Sequence, residues 1–436
     1  MDNQQINQHL LQGDIHTEGV LPHVDSLKSM AFVFTQAFGL DVLPMEPGVL
    51  LIRGARQYGK STWLEQQILE TIQAFGAQTA LYLNGDEIKD YTQLIQAIRL
   101  LIPLFAPRAT VKRLFIDEIT AVPAWEKAIK RLIDAGELKD ILLVTTGSKA
   151  SDLRRGIERL PGRKGKLART NYVFTPIAYK DFKEKCVGVF KENTLWAYLL
   201  SGGSAIAANE LATTHRLPEY VVSIISDWIL GECAATGRSR ANLLAILQSI
   251  YRTAGTPVGQ AKLARESGLS NNTVAQGYIE LLSDLMTMMP AFPYDPDKKI
   301  SLFRKPCKYH FINLLMAICW HPRKPRTVDA LKNLGEDLGP IFEWTVAQEI
   351  WRKHCIAGEV DFMDHLNFWQ SKEHEIDFVV PSQGLYLEVK SGAYRPHNFV
   401  WFLKSFQVEH LTVINQDSFD TERIHGISLE DFLLMG

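Results

Sequence analysis

The residues Gly54-Ala55-Arg56-Gln57-Tyr58-Gly59-Lys60-Ser61 have the types and the spacing needed to bind the phosphates of a nucleotide. They form a complete G-x-x-x-x-G-K-[ST] pattern, whose two glycines let the backbone wrap with its N–H groups pointing inward. We expect Lys60 to reach the β- and γ-phosphates and Ser61 to ligate Mg²⁺. The pattern therefore predicts an ATP site that extends from Gly54 to Thr62. The alternative is a glycine-rich turn that binds no ligand.

The residues on either side of this pattern favour the first interpretation. The apolar run Val49-Leu50-Leu51-Ile52 precedes it and predicts a buried strand, whereas Thr62–Leu69 follows with helical spacing. Strand, loop and helix in this order place the phosphates at a helix N-terminus, where the helix dipole favours negative charge.

A second group of polar residues predicts the rest of the nucleotide site. Lys112–Glu118 is a strand-like apolar run that ends in the adjacent carboxylates of Asp117 and Glu118. Asp117 is expected to hold the Mg²⁺ shell, and Glu118 to orient and deprotonate the attacking water. Thr146 and Ser148 follow another predicted strand and are expected beside the γ-phosphate if that strand lies between the other two. The alternatives are a solvated strand end and an ordinary turn.

The composition bounds the class of protein. The chain has 436 residues, 46% of them hydrophobic, and a formal charge of −2 from 47 basic and 49 acidic residues. It is expected to fold into several domains, with nucleic-acid binding confined to a local basic patch. The five cysteines are scattered without a C-x-x-C pair, as in a protein with reduced thiols. No signal peptide or membrane span is predicted, so a cytoplasmic location is expected.

Alternating strand and helix patterns predict an α/β fold for the first part of the chain. Residues 1–175 are expected to form a doubly wound parallel sheet, with a helix around Leu27 to Phe38 before it. Ligands in such sheets bind at the carboxyl ends of the strands, where all the motifs above are expected. Residues 176–235 are mostly helical by pattern and predict a small lid.

A helix-turn-helix is predicted within residues 236–325. The first helix is expected to end at Gly268, and Ser270 to cap the second, with a strand pair after it that would complete a winged helix. DNA docking through the second helix is one interpretation. The alternative is a structural or oligomerisation module, since the start of that helix carries no Arg or Lys. Basic residues at the predicted wing suit phosphate contacts: Lys298, Lys299, Arg304, Lys305 and Lys308.

Residues 326–436 carry a second chemical pattern. Two predicted antiparallel strands place Asp377 beside Glu388, with Glu388 and Lys390 on one face. With Glu343 from a preceding helix, these residues suit a Mg²⁺ ion that activates water for phosphodiester cleavage, and Lys390 would stabilise developing charge. The predicted metal ligands are Glu343, Asp377 and Glu388, and the predicted catalytic residues are Asp377, Glu388 and Lys390. The alternative is a solvated strand pair.

Several motifs together resemble a large prokaryotic family of AAA+ ATPases. They are Phe115–Glu126, Thr146-Gly147-Ser148, Leu160-Pro161-Gly162-Arg163 and Thr175–Phe182, and Glu375–Gly392 is similar to the family's C-terminal motif. The resemblance implies a P-loop AAA+ core over 1–175, a helical lid over 176–235, a winged helix over 236–325 and a PD-(D/E)XK nuclease-like (restriction-endonuclease-like) α/β domain over 326–436. It also implies that Arg163 acts as an arginine finger or sensor.

These expectations combine into two functional hypotheses. In the first, an ATP-hydrolysing protein uses its nucleotide state to control a DNA-binding and DNA-cleaving C-terminal half, in genome maintenance, mobile-element biology or phage defence. In the second, the same nucleotide switch carries a catalytically inactive nuclease-like domain that binds a protein partner. Both include ATP and Mg²⁺ as ligands, and a homo-oligomer is expected.

Overall fold

The computed structural model describes residues 1–148, 166–358, 365–407 and 409–435. The chain forms two compact units. The first contains Met1–Thr175 and Cys355–Val360, and the second contains Pro176–His354 and Asp361–Gly436.

The first unit is built on a parallel five-stranded sheet. Its strands are β1 (Gly48–Gly54), β2 (Ala80–Asn84), β3 (Arg113–Asp117), β4 (Leu142–Gly147) and β5 (Asn171–Phe174), in the order β2-β3-β4-β1-β5. The connecting helices are α3 (Lys60–Phe75), α4 (Tyr91–Leu101) and α5 (Trp125–Asp134). The predicted α/β parallel sheet is therefore confirmed, and β4 lies between β3 and β1.

Alternating apolar residues of these strands form the core on one face of the sheet. Leu81 and Leu83 of β2 and Leu114 and Ile116 of β3 pack with the apolar faces of α4 and α5, and all of them are buried. Because side chains of a strand alternate between faces, the next residues in each strand serve the opposite face. The sheet is thus buried on both faces and its polar groups are concentrated at the carboxyl end.

The segment that precedes β1 covers the edge of the sheet and the side of α3. Helix α1 (Asn3–Gln12) lies along the edge strand β2, where the Asn7 side chain bonds both the N–H and the C=O of Tyr82, at 2.9 and 2.7 Å. These bonds replace the ladder that a further strand would supply. Helix α2 spans only Pro22–Ser26, and a 3₁₀ turn follows at Leu27–Ser29, so the helix predicted around Leu27 to Phe38 is wrong.

The second unit begins with helices. They are α6 (Tyr179–Phe190), α7 (Thr194–Ser201), α8 (Ala205–Thr214), α9 (Glu219–Ala235) and α10 (Arg240–Arg252). Helices α11 (Gln260–Glu266) and α12 (Asn272–Asp284) follow with Gly268 between them at a positive φ of 67°, which ends the first helix. The cap of α12 is Asn271, which accepts from the Val274 N–H at 2.9 Å, and not Ser270 as predicted.

Two sheets complete the second unit. The first contains β6 (Met288–Asp295), β7 (Ile300–Ser301), β8 (Lys308–Phe311), β9 (Leu366–Gln370) and β10 (Glu375–Ile376), in which β6 pairs with β7, β8 and β9. The second contains β11 (Phe378–Val380), β12 (Leu385–Val389), β13 (His410–Ile414), β14 (Phe419–Asp420) and β15 (Ile424–Ile427) in the mixed order β11-β12-β13-β15-β14. Helices connect and flank these sheets: α13 (Leu314–Trp320), α14 (Val328–Lys332), α15 (Leu338–Ala357), α16 (Val400–Ser405) and α17 (Leu429–Leu434). Segments 236–325 and 326–436 therefore share a sheet through β6 and β9.

Candidate active site

The loop between β1 and α3 has the backbone geometry of a phosphate cradle. Gly59 adopts a φ of 97°, in the left-handed region that glycine tolerates best, and it caps the N-terminus of α3. At Gly54, an added Cβ would lie 2.8 Å from both Cβ and the carbonyl oxygen of Phe174 on the neighbouring strand. Both glycines of the motif are thus required by the conformation.

Lys60 extends into the interior of this loop. It is buried, and its Nζ donates to the carbonyl oxygens of Gly54 at 3.0 Å and Ala55 at 2.9 Å. Burial lowers the pKa of Lys60, while the negative charges of Glu118 and Asp117 act in the opposite direction. A buried ammonium with few close counter-ions is strongly stabilised when a phosphate binds beside it.

Asp117 is fixed at the carboxyl end of β3 by its neighbours. Its Oδ1 accepts a hydrogen bond from the Thr146 hydroxyl at the end of β4 and another from the N–H of Glu118 at 3.1 Å. The strand order places the ends of β3, β4 and β1 side by side, so that Asp117, Thr146 and the phosphate-binding loop belong to one edge of the sheet. Thr146 therefore orients the Asp117 carboxylate.

Glu118 lies one residue further in a strained conformation. Its φ is 48°, which is uncommon for a residue with a side chain and often marks a functional position. Its Oε2 accepts from the backbone N–H and the hydroxyl of Ser148, at 3.2 and 3.0 Å. The predicted role of Ser148 was contact with the γ-phosphate, whereas here Ser148 holds the side chain of Glu118.

Sequence reasoning did not identify Gly85 as part of this site. An added Cβ at Gly85 would lie 2.4 Å from the carbonyl oxygen of Glu118, so that only glycine permits this close approach. The signal available in the sequence was a glycine directly after a predicted strand, which is too common to be specific.

Ser61 and Asp117 fit a Mg²⁺ ion at this site. They supply a hydroxyl and a carboxylate, the hard oxygen ligands that Mg²⁺ prefers, and Mg²⁺ usually binds to few protein groups together with phosphate oxygens. The charge of Asp117 acts on Lys60, as expected if both face the same phosphates. Arg163, the predicted arginine finger, lies outside the described residues.

Glu65 is a buried carboxylate on α3 that the sequence analysis also missed. Its Oε2 accepts from the backbone N–H groups of His23 and Val24, at 2.8 and 3.0 Å, and so caps α2. Burial raises the pKa of Glu65 to about 8 despite these hydrogen bonds. The side chain links the phosphate-binding helix to the segment that covers it.

In the second unit the structure brings together all four residues of the C-terminal pattern. β11 and β12 are antiparallel with Phe378 opposite Leu387, so Asp377 and Glu388 are adjacent, as expected for the predicted strand pair. Glu388 Oε2 accepts from the Asp377 N–H at 3.2 Å, and Asp377 Oδ2 accepts from the Val389 N–H at 2.9 Å. Lys390 forms a salt bridge with Glu388.

A fifth residue, Lys308 of β8, lies inside this cluster. Its side chain is fully buried, and its Nζ lies 2.9 Å from Asp377 Oδ1 and 3.3 Å from Glu343 Oε1, with a further salt bridge to Glu375. The sequence analysis placed Lys308 on the wing as a phosphate contact, and that placement is wrong because all of β8 is buried.

The charges of the cluster are balanced only in part by its own side chains, because four carboxylates face the two ammonium groups of Lys308 and Lys390. Burial lowers the pKa of Lys308, but Asp377, Glu343 and Glu375 raise it well above the ordinary value. Burial raises the pKa of Glu343 to about 7 and that of Glu388 to about 8. Burial also opposes ionisation of Asp377, yet Lys308 and Lys390 hold the pKa of Asp377 below its usual range.

The predicted metal ligands Glu343, Asp377 and Glu388 consequently do not fit a divalent ion as they stand. Lys308 Nζ occupies the point on which the carboxylate oxygens of Glu343, Glu375 and Asp377 converge. Over the described parts of the chain, no group of three or more His, Cys, Asp or Glu residues is arranged to hold a metal ion. The position of Lys308 is thus the observation that argues against a metal ion among these carboxylates.

The exposed loop around β7 retains the other predicted basic residues. Lys298, Lys299, Arg304 and Lys305 are exposed, as is Phe303 with 60% of its surface accessible, and the acidic residues nearby are Asp295 and Asp297. Asp295 accepts from the Lys298 N–H at 3.1 Å. We call the four basic residues and Phe303 the wing patch.

Comparison with known proteins identifies the class of the first unit's core. Residues 46–183 match the family model described as AAA domain, a span that includes the phosphate-binding loop and the ends of β3 and β4. The match supports a P-loop AAA+ ATPase domain in this part of the chain. The predicted winged helix and nuclease-like domain lie outside the match.

Solved structures with partial likeness to the chain include those of three other proteins. The Walker-type ATPase PABY2304 of Pyrococcus abyssi is 13% identical, with 68% of this chain and 94% of that chain covered and a TM-score of 0.44. RuvB of Thermotoga maritima is 19% identical, with 58% of this chain and 84% of that chain covered and a TM-score of 0.32. The ORC1 protein of Aeropyrum pernix, solved in complex with DNA, is 15% identical, with 72% of this chain and 95% of that chain covered and a TM-score of 0.33. At these scores the likenesses carry no further argument.

Comparison with curated proteins yields no match. Among the residues that the structure describes, no helix is long and apolar enough to cross a membrane.

Proposed function

We propose that the protein binds and hydrolyses ATP and uses its nucleotide state to control the C-terminal half of the chain. The observation that carries ATP hydrolysis is the convergence at one sheet edge of Lys60 inside the loop, Asp117 held by Thr146, and Glu118 held by Ser148. These are the groups that phosphoryl transfer to water requires: a cation for the phosphates, a metal-holding carboxylate and a base.

Each side chain has a separate role in this mechanism. Lys60 compensates the charge on the β- and γ-phosphates, and the N–H groups of the loop at the start of α3 cradle them. Mg²⁺, held by Ser61 and Asp117, would neutralise charge that develops on the phosphates. Glu118 accepts a proton from the attacking water, and its hydrogen bonds to Ser148 set the direction of its carboxylate.

Steady-state ATPase assays and nucleotide titrations on Lys60→Ala test this proposal. Removal of the ammonium is expected to weaken nucleotide binding by about 2 kcal/mol or more, roughly thirtyfold, and to abolish turnover. Lys130→Ala is the matched control, because Lys130 is an exposed lysine of α5. Wild-type affinity in Lys60→Ala would remove the assignment.

For the C-terminal half we propose DNA binding through the wing patch without cleavage. The net positive charge and exposed aromatic ring of that patch support phosphate contact and base stacking, while the Lys308 contacts argue against a metal-dependent nuclease. The competing proposal, in which the nuclease-like fold binds a protein partner, would be favoured if every variant of the patch bound DNA no differently from wild type.

We also propose that the protein self-assembles when ATP is bound, with Arg163 acting on the nucleotide of a neighbouring copy. The support is the AAA+ domain match together with the arginines of the 154–163 segment in the sequence. Sedimentation with and without ATP tests it: a monomer with full ATPase activity would contradict assembly.

A further inference from the structure

We infer that Lys308 is the resident cation of the carboxylate cluster in the second unit, and that it excludes a divalent metal ion from this cluster. The inference goes beyond the proposed ATPase, since it concerns other residues and the binding of a metal ion without nucleotide. Within the proposed C-terminal function, it explains why a nuclease-like set of residues would not cleave.

The position of Lys308 is fixed by the strand that carries it. β8 pairs antiparallel with β6, with Lys308 opposite Ala291, and every residue of β8 is buried. The side chain crosses the ring of Phe368, with Nζ 5.4 Å from the ring centroid, and this contact stabilises a cation. The lysine therefore cannot turn outward to solvent while β8 stays in the sheet.

The number of contacts matches the chemistry of an ammonium group. An ammonium has three donor hydrogens, and Nζ has three carboxylate partners: Asp377, Glu343 and Glu375. These partners come from β10, from the residue before β11, and from α15, so that the lysine joins separate elements as a bound metal ion would. Its positive charge sits at the point where the oxygens converge.

The second oxygen of Asp377 and both oxygens of Glu388 also have partners. Asp377 Oδ2 accepts from the Val389 N–H at 2.9 Å, and Glu388 divides its oxygens between the Asp377 N–H at 3.2 Å and Lys390. Mg²⁺ needs near-octahedral oxygen ligands at about 2.0–2.1 Å. An ion that bound Asp377 Oδ1 and Glu343 Oε1 would compete with the ammonium for the same two oxygens and be repelled by its charge.

The buried side chain of His310 would help the cluster to bind a metal ion if Lys308 were replaced. His310 lies on the same face of β8 as Lys308, is fully buried, and has both ring nitrogens without a hydrogen-bond partner among the described residues. Its Nδ1 lies 3.8 Å from Glu343 Oε1. With Lys308 removed, an imidazole and three carboxylates would surround the vacated space.

Mn²⁺ binding to the nucleotide-free full chain tests the inference. Electron paramagnetic resonance of free Mn²⁺ would count bound ions in wild type, Asp377→Asn, Lys308→Met, the Lys308→Met/Asp377→Asn double variant, and Lys404→Met as the control for an exposed lysine of α16. We expect wild type, Asp377→Asn and Lys404→Met to bind equally. Lys308→Met should gain one ion with roughly tenfold higher affinity than any site in wild type, and the double variant should lose it.

Two results would overturn the inference. One is a wild-type Mn²⁺ site that disappears in Asp377→Asn, because the cluster would then hold metal beside the lysine. The other is a folded Lys308→Met variant, judged by circular dichroism, that gains no ion. If Lys308→Met does not fold, the comparison of wild type with Asp377→Asn decides alone. ATPase activity plays no part in this readout, so failure here is distinct from failure of the proposed hydrolysis.

Discussion

At the scale of residues, the two units treat buried charge in opposite ways. In the first unit Lys60 is buried and its hydrogen bonds within the described residues go to carbonyl oxygens. These neutral acceptors do not neutralise its charge, so the side chain is suited to bind an anion. In the second unit Lys308 is buried with three carboxylates and is fully satisfied. An uncompensated buried cation is costly and suits a binding site, whereas a fully paired one suits a fixed core.

Glu65 provides a pH-dependent test at the same scale. Its pKa is about 8 in the folded protein and near 4.5 when unfolded, so between these values the folded state holds a proton that the unfolded state has lost. The local stability of α3 should therefore fall as pH rises from 5 to 8, by up to roughly 1.4 kcal/mol per pH unit. In Glu65→Gln this dependence should disappear.

Hydrogen exchange of peptides from α3, corrected for the intrinsic effect of pH, measures this stability. Glu70→Gln is the matched control, since Glu70 lies on the same helix and is exposed. The account of Glu65 fails if wild type and Glu65→Gln show the same pH dependence.

At the scale of elements, the sequence was sufficient to predict the strands and strand pairs that are set by residues close together in the chain. The five strands of the first unit were recognisable because apolar runs, a glycine pattern and terminal carboxylates lie within a few residues of one another. The antiparallel contact of Asp377 with Glu388 was likewise predictable from a short turn between two strands. Local spacing was sufficient in both cases.

The contacts that change the chemistry were not predictable in this way. Lys308 and Asp377 are 69 residues apart in the chain, and only the pairing of β6 with both β8 and β9 brings their strands to one place. A lysine beside a predicted turn was therefore assigned to the surface. Ser148 and Gly85 were missed as partners of Glu118 for the same reason, since strand order decides which loops meet.

The wing patch gives a prediction for one element. Replacement of Lys298, Lys299, Arg304 and Lys305 by alanine should weaken duplex DNA binding and reduce the slope of log K against log salt by about 0.9 for each phosphate that the patch neutralises. The control removes four exposed basic residues of the first unit: Lys89, Lys130, Arg131 and Lys139. Fluorescence anisotropy at several salt concentrations measures both, and an equal weakening in the two variants would show that the patch has no special role.

At the scale of the whole molecule, the chain combines a segment that matches the AAA domain family, residues 46–183, with a second unit of helices and two sheets. The near-neutral total charge of −2 means that no general electrostatic attraction draws it to nucleic acid. We propose that control of the second unit begins with ATP that is bound and hydrolysed by the first.

Glu118→Gln tests this claim most directly. The amide cannot accept a proton from water but leaves Asp117, Ser61 and Lys60 in place, so ATP binding should persist while turnover falls by about 10²- to 10⁴-fold. After incubation with Mg²⁺ and ATP and rapid removal of free nucleotide, chromatography should find ATP on Glu118→Gln and ADP on wild type. Glu46→Gln, an exposed glutamate before β1, should behave as wild type. Turnover at the wild-type rate in Glu118→Gln would contradict the account.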